Sequence, residues 1–170
     1  MSKSPLTPSN AQASKDAQAA APKRSLTPRR RAREYALQGV YQSLVMRRAG
    51  SIPNSAAIAK QLAEDPAFRR CQLELFTGIF EGVLSRADEL EAIITPALDR
   101  PINELSPVEH AALLIGTYEL AADLSVPYKV AINEAVELAK TFGGTDGHKY
   151  VNGVLDLLAQ KLRSTETKAN

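Results

Sequence analysis

The chain has 170 residues, 44% of them hydrophobic and 24% charged, with no Trp and a single cysteine, Cys71. That length supports one domain with a real core, and a lone cysteine excludes an internal disulfide. No apolar run approaches the roughly 18 residues of a membrane helix and no apolar h-region opens the chain, so the sequence predicts a soluble, cytoplasmic protein.

The net charge of +2 conceals an asymmetry. Residues 1–48 carry ten Lys and Arg against two acids, Asp16 and Glu34, a net of +8 that leaves −6 on the remainder. A basic arm on an acidic body suits two partners, a polyanion for the arm and a basic protein for the body. The plain alternative is a solubilising tail.

Residues 1–26 hold mostly Ser, Ala, Pro, Lys and Gln, with little to bury, and are expected to be disordered. A single helical domain is expected over residues 27–163. Thr27 as N-cap and Pro28 at the first helical position predict a helix to about Arg48, with Leu37, Val40, Tyr41 and Leu44 as its buried stripe. Gly39 inside it costs roughly 1 kcal/mol relative to Ala. Arg29, Arg30, Arg31 and Arg33 fall in its first turns, where they oppose the helix dipole and repel one another. Stability alone would not ask for them. The guanidinium fork holds phosphates and stacks on bases, so a nucleic-acid contact stands beside the reading of a solvated basic surface.

A loop over Gly50–Asn54 leads to a second helix, capped by Ser55 and running to about Glu64. A third is predicted from Pro66 to about Arg86. Its Leu73, Leu75, Phe76, Ile79, Phe80, Val83 and Leu84 lie almost all round it, so it should be buried on most sides. Gly78 and Gly82 would let a neighbour cross closely, and Cys71 reads as an inert buried thiol. Ala87–Leu98 is a short helix on Leu90, Ile93 and Ile94, bent at Pro96, and a connector follows to Leu105. Arg100, in that connector, reads by itself as half of a surface salt bridge. Ser106-Pro107-Val108-Glu109 fits a capping box, and the helix it opens should turn Val108, Ala111, Ala112, Ile115, Tyr118 and Ala122 inward.

The stretch Val126–Leu155 predicts two helices joined by a glycine corner. Pro127 suits a first turn. Ala131, Ile132, Ala135, Ala139 and Phe142 then form a stripe, and Gly143 and Gly144 should end the helix in the left-handed conformation. Asp146 is the expected N-cap of the next helix, striped by Val151, Val154, Leu155, Leu158 and Leu162, with a frayed polar tail over residues 164–170. His148, Lys149 and Tyr150 are not explained by capping. A helix start with cations and a ring can hold phosphate and stack a base; an ordinary N-cap with solvated charges is the other reading. The Asp146 carboxylate argues against a simple anion site. His110 and His148 fall on separate helices and there is no Cys pair, so no metal site is expected. The whole reads as all-α, with about seven helices and no cofactor.

Two segments, RRRAREYALQGVYQ and PYKVAINEAVELAKTFGGTDGHKYVNGVLD, closely resemble the NusB family of bacterial transcription antitermination factors. The similarity is strong over Arg29–Val45 and Leu98–Leu158, weak between them and absent over the first two dozen residues. It implies a fold of two roughly perpendicular helical bundles and a non-catalytic role. The expected partners are the small-subunit ribosomal protein that acts as NusE, the boxA element of nascent ribosomal RNA, and an RNA polymerase complex with other Nus factors. The family's RNA contacts fall on Arg29, Arg30, Arg31, Arg33, Arg100, Asp146, His148, Lys149 and Tyr150; its protein partner docks at Tyr41, Val45 and Glu109. An aromatic that the family often carries three residues before Arg100 is Ala97 here. Two rivals are a NusB-like domain of the kind found in ribosomal-RNA cytosine methyltransferases, and a helical adaptor that does not touch RNA. GGTDG lacks the glycine spacing and preceding strand of a phosphate loop, so catalysis has no visible equipment.

Overall fold

In the computed structural model, which describes residues 26–169, the first helix starts where its sequence says it should. Thr27 is in extended backbone and its hydroxyl accepts a hydrogen bond from the Arg30 N–H at 3.1 Å, with Pro28 in the first turn. Helix α1 runs Pro28–Arg48, α2 Ser55–Leu62, α3 Leu73–Ser85, α4 Ala87–Ile94, α5 Pro107–Ala122, α6 Tyr128–Phe142, α7 Gly147–Leu162 and α8 Ser164–Lys168. Short 3₁₀ turns cover Pro66–Arg70, Thr95–Ala97 and Ile102–Glu104, and no strand occurs among the described residues. No described helix is long and apolar enough to cross a membrane.

Helix α1 packs on α2 and α3 and also on α5 and α6, while α5, α6 and α7 pack on one another. It therefore belongs to both groups of helices. Two glycines make the close approaches possible. A Cβ on Gly39 would lie 2.7 Å from the Phe80 ring, and one on Gly82 would collide with the Tyr118 ring. The helix propensity lost at Gly39 is thus exchanged for an aromatic packed on bare backbone. Gly78 faces open space and contributes no such contact.

Several local expectations are corrected. The third helix is interrupted: the Asp65 carboxylate caps the Pro66–Arg70 turn through the Ala67 N–H, Cys71 is extended, and the Gln72 N–H is drawn to the Pro28 carbonyl at 2.9 Å. Only then does α3 begin, with Leu73 exposed. Helix α2 is capped by the Asn54 side chain, not by Ser55. Tyr41 leaves the expected stripe of α1 and faces outward. Helix α5 is buried nearly all round, from His110 to Thr117 and again at Glu119 and Leu120, because α1, α3, α4, α6 and α7 all pack on it. Gly143 is extended at φ −100° and ψ −175°, so no left-handed residue ends α6.

Residues Ser164–Lys168 form a helix where a frayed tail was expected. Arg163 is buried and its guanidinium donates to the carbonyls of Glu119, Leu120, Asp123 and Val126, at 2.8–3.0 Å. These are the open end of α5 and the loop after it, groups a helix C-terminus otherwise leaves unpaired. Helix α8 follows, and its Glu166 accepts from both Arg163 and the Tyr128 N–H that opens α6. The expected disorder of the basic arm falls on residues outside those described.

Candidate nucleic-acid interface

The four arginines in the first turns of α1 have four different surroundings. Arg33 is 2% exposed and makes a bidentate pair with Glu119 of α5, Nε to Oε1 at 2.8 Å and NH2 to Oε2 at 3.0 Å. Burial works against its charge, but the Glu119 bonds outweigh it and raise its pKa above the ordinary value. Arg33 is therefore a core residue and cannot reach a polyanion, which corrects its place in the expected RNA motif. Arg30 is half-buried and pairs with Glu134 of α6 at 3.2 Å, a hydrogen bond that raises its pKa. Arg29 is exposed and donates to the neutral Gln72 amide at 3.1 Å. Neither Arg29 nor Arg31 has an acidic ion-pair partner among the described residues, and no acid occupies the first turn of α1. Of the four, Arg29 is exposed, and Arg31 is half-buried with its charge acting on the Asp65 carboxylate.

The start of α7 is arranged differently. Asp146 sits at the N-cap position with φ −116° and ψ 0°, so its side chain makes no cap. Its carboxylate instead pairs with Lys149 at 3.3 Å, both groups largely in solvent. His148 is half-buried. No acid lies within the first turn of α7 and Asp146 makes no cap, but the Glu109 carboxylate of α5 lies against Gly147 at the helix start.

Tyr150 turns back onto the connector before α5. Arg100 lies over its ring, 4.5 Å from guanidinium carbon to centroid, and the Tyr150 hydroxyl donates to Asp99 Oδ1 at 2.8 Å. The same oxygen accepts from Arg100 Nε at 2.9 Å, and the Asp99 N–H donates to the Tyr150 oxygen at 3.3 Å. Arg100 and then Tyr150 hold the Asp99 carboxyl below its usual pKa; burial and the Asp99 bond push the Tyr150 phenol up. Residues 51 apart in sequence are thus joined at one point. The ring is packed against the core and covered by a guanidinium, so a base cannot lie directly on it as the sequence suggested.

Glu109 fills the expected capping box: Ser106 Oγ accepts from the Glu109 N–H and Glu109 Oε2 accepts from the Ser106 N–H, each at 3.2 Å. Its other oxygen lies against Gly147, 2.7 Å from where a Cβ would be, so the start of α5 abuts the start of α7. Tyr41 and Val45 form a separate exposed apolar pair on α1, 39% and 40% exposed, one helical turn apart. Arg30 meets α6 at Glu134, eight residues before its end, which puts it about 12 Å along that helix from the glycine corner.

Three residues that organise these surfaces were not singled out from sequence. Asp99 carried a signal, being adjacent to Arg100. Glu119 and Glu134 carried none, since nothing in a one-dimensional pattern pairs a glutamate with an arginine 86 or 104 residues away. Cys71 is half-buried, and burial raises its thiol pKa, which fits no nucleophile.

Residues 30–160 match the model of the NusB family. A transcription antitermination protein NusB of Nitrosospira multiformis is 54% identical over 137 residues, 81% of this chain and 84% of that one. The corresponding protein of Methylobacillus flagellatus is 50% identical over 138 residues, covering 81% and 86%. Among solved structures, T. maritima NusB superposes with a TM-score of 0.64 at 27% identity, covering 81% of this chain and 94% of that one. A structure of antitermination factors NusB and NusE with double-stranded RNA gives 0.69 at 23% identity, covering 78% and 96%, and supports the fold. From the arginine-bearing start of α1 through the α6–α7 corner, the chain belongs to the NusB family.

Proposed function

We propose that this chain is a non-catalytic, cytoplasmic transcription antitermination factor that binds single-stranded boxA RNA together with the small-subunit ribosomal protein acting as NusE. The observation that carries the reading is the acid-free start of α1, where Arg29 is exposed, Arg31 is half-buried, and neither has an ion-pair partner among the described residues. Unpaired guanidiniums at the positive end of a helix are unfavourable for folding and favourable for phosphate. The names of the relatives agree with this role, and one fold neighbour holds NusE and RNA. Arg30, Arg100, His148, Lys149 and Tyr150 complete the RNA surface, and Asp146 sets the position of Lys149 through their ion pair. Tyr41, Val45 and Glu109 are the surface for the basic ribosomal protein, a reading favoured by the exposed apolar pair and the net −6 of the body.

A salt titration of RNA affinity tests the proposal. Each phosphate contact on a single strand contributes about 0.7 to the slope of log K against log salt. The double variant Arg29→Gln, Arg31→Gln should bind more weakly with a slope flatter by about 1.4, and should lose affinity for boxA and scrambled RNA alike. Parallel lines with unchanged affinity would remove α1 from the RNA surface.

A further inference from the structure

We propose that Asp99 is a positioning residue, holding the Arg100 guanidinium over Tyr150 so that its outward face and terminal nitrogens receive one nucleotide of single-stranded RNA. This rests on reading the corner as an RNA surface, and it gives that surface a specific contact. Arg100 Nε is anchored on Asp99 Oδ1, the same oxygen accepts from the Tyr150 hydroxyl, and the Asp99 N–H closes the ring. The inward face of the guanidinium covers the phenol ring at 4.5 Å, and 45% of the Arg100 side chain remains in solvent. NH1 and NH2 make no hydrogen bond to a described residue. A planar cation fixed at one nitrogen, backed by an aromatic and open on its other face is a stacking plane, with phosphate donors along its edge. Ala97, three residues earlier, offers no ring of its own, so the plane here is built from Arg100 on Tyr150.

Charge alone argues against an aspartate at this place. A carboxylate next to an incoming phosphate repels it, so a purely electrostatic corner would bind better without Asp99. Pre-organisation argues the reverse, because a long side chain already held in its bound pose loses little freedom on binding. The two effects have opposite signs, and that makes the assignment testable.

The measurement is the affinity of the full chain for a short single-stranded RNA carrying the boxA sequence, for wild type, Asp99→Ala, Asp99→Asn, Arg100→Ala and the Asp99→Ala, Arg100→Ala double variant. Arg100→Ala should weaken binding about tenfold, within the range for one stacked base. Asp99→Ala should weaken it about fivefold, although it removes a negative charge. Asp99→Asn keeps the accepting oxygen and should restore most of the affinity. The double variant should bind no worse than Arg100→Ala, because a positioning residue has nothing left to position. In parallel, the Arg100 Nε–H resonance should be sharp in wild type and lost to exchange in Asp99→Ala, with thermal stability nearly unchanged. Binding by Asp99→Ala as tight as or tighter than wild type overturns the proposal, as does an equal loss in the Arg100→Ala background. No RNA binding by wild type, or none of it lost in Arg100→Ala, overturns the RNA reading of the corner and this proposal with it.

Discussion

The starts of α1 and α7 are both basic helix termini, and they are built on opposite plans. At α1 the backbone is capped by Thr27, and two of the four arginines are tied by acids into the fold, one of them in the core. At α7 the backbone cap is unused, the nearest acid spends itself on a solvated lysine, and order comes from side chains arriving from the connector before α5. Each also carries a tyrosine hydroxyl donated to an aspartate at 2.8 Å, Tyr35 to Asp65 and Tyr150 to Asp99. The first pair lies beside a core ring ladder of Tyr35, Phe68, Phe76 and Phe80 and the second at the surface. A run of like residues is thus no unit of function. Its members divide between holding the helix in place and facing a partner.

The comparison is broken most forcefully at Arg33. Arg33→Ala or Glu119→Ala leaves one buried charge alone and should cost about 3–5 kcal/mol in urea unfolding, whereas replacing both by Met and Leu should recover most of it. The expected loss applies to folding, with Arg29→Gln, Arg31→Gln as the contrast that leaves stability unchanged or slightly raised. If Arg33→Ala unfolds no more easily than wild type, the ion pair is not part of the core.

A smaller effect sharpens the contrast between the caps. Thr27→Ala should cost about 1 kcal/mol by removing the hydroxyl that accepts from the Arg30 N–H. Asp146→Ala, at the matching position of α7, should stay within about 0.5 kcal/mol, since its carboxylate caps nothing. Equal losses in the two thermal melts would mean that α7 is capped in solution as the sequence suggested.

A further effect is a limb of the pH profile. Burial, then the Asp65 hydrogen bond, pushes the Tyr35 phenol up to about 12. A raised phenol pKa favours the neutral form in the folded state, so its contribution is fully present below the ordinary value of about 10 and is lost as pH rises from there through 12. Stability between those limits should fall in wild type and fall less in Tyr35→Phe. Tyr150→Phe should also flatten the limb, because burial and the Asp99 bond raise that phenol as well. A Tyr35 absorbance change near the ordinary phenol pKa would show that the ring is not held as described.

How much of this was legible depends on how far apart the determinants lie. Thr27 with Pro28 and Ser106 with Glu109 are contacts within one turn, and the sequence located both helix starts. Long amphipathic helices were equally plain, because period carries them. The broken third helix was not, since what stops it is the Gln72 N–H reaching back to Pro28, a tertiary contact. Asp146 failed as a cap because its backbone sits at φ −116° and ψ 0° and not in the extended conformation a cap takes. Among the site residues, Arg100 and Tyr150 were each marked in the sequence, but their stacking was not: a cation and a ring 50 positions apart show no pattern until the connector folds onto α7. Arg33 was misplaced for the same reason, its partner being on another helix.

Arg163 bears on the order of assembly during synthesis. The four carbonyls it closes belong to residues 37–44 positions earlier, so for as long as the ribosome still holds that stretch, the end of α5 and the turn into α6 have no partner from the chain. At about 5–20 residues per second that interval lasts a few seconds, during which α1 to α5 can already collapse while the base of α6 stays loose. The junction between α5 and α6 is therefore closed only when Arg163 seats.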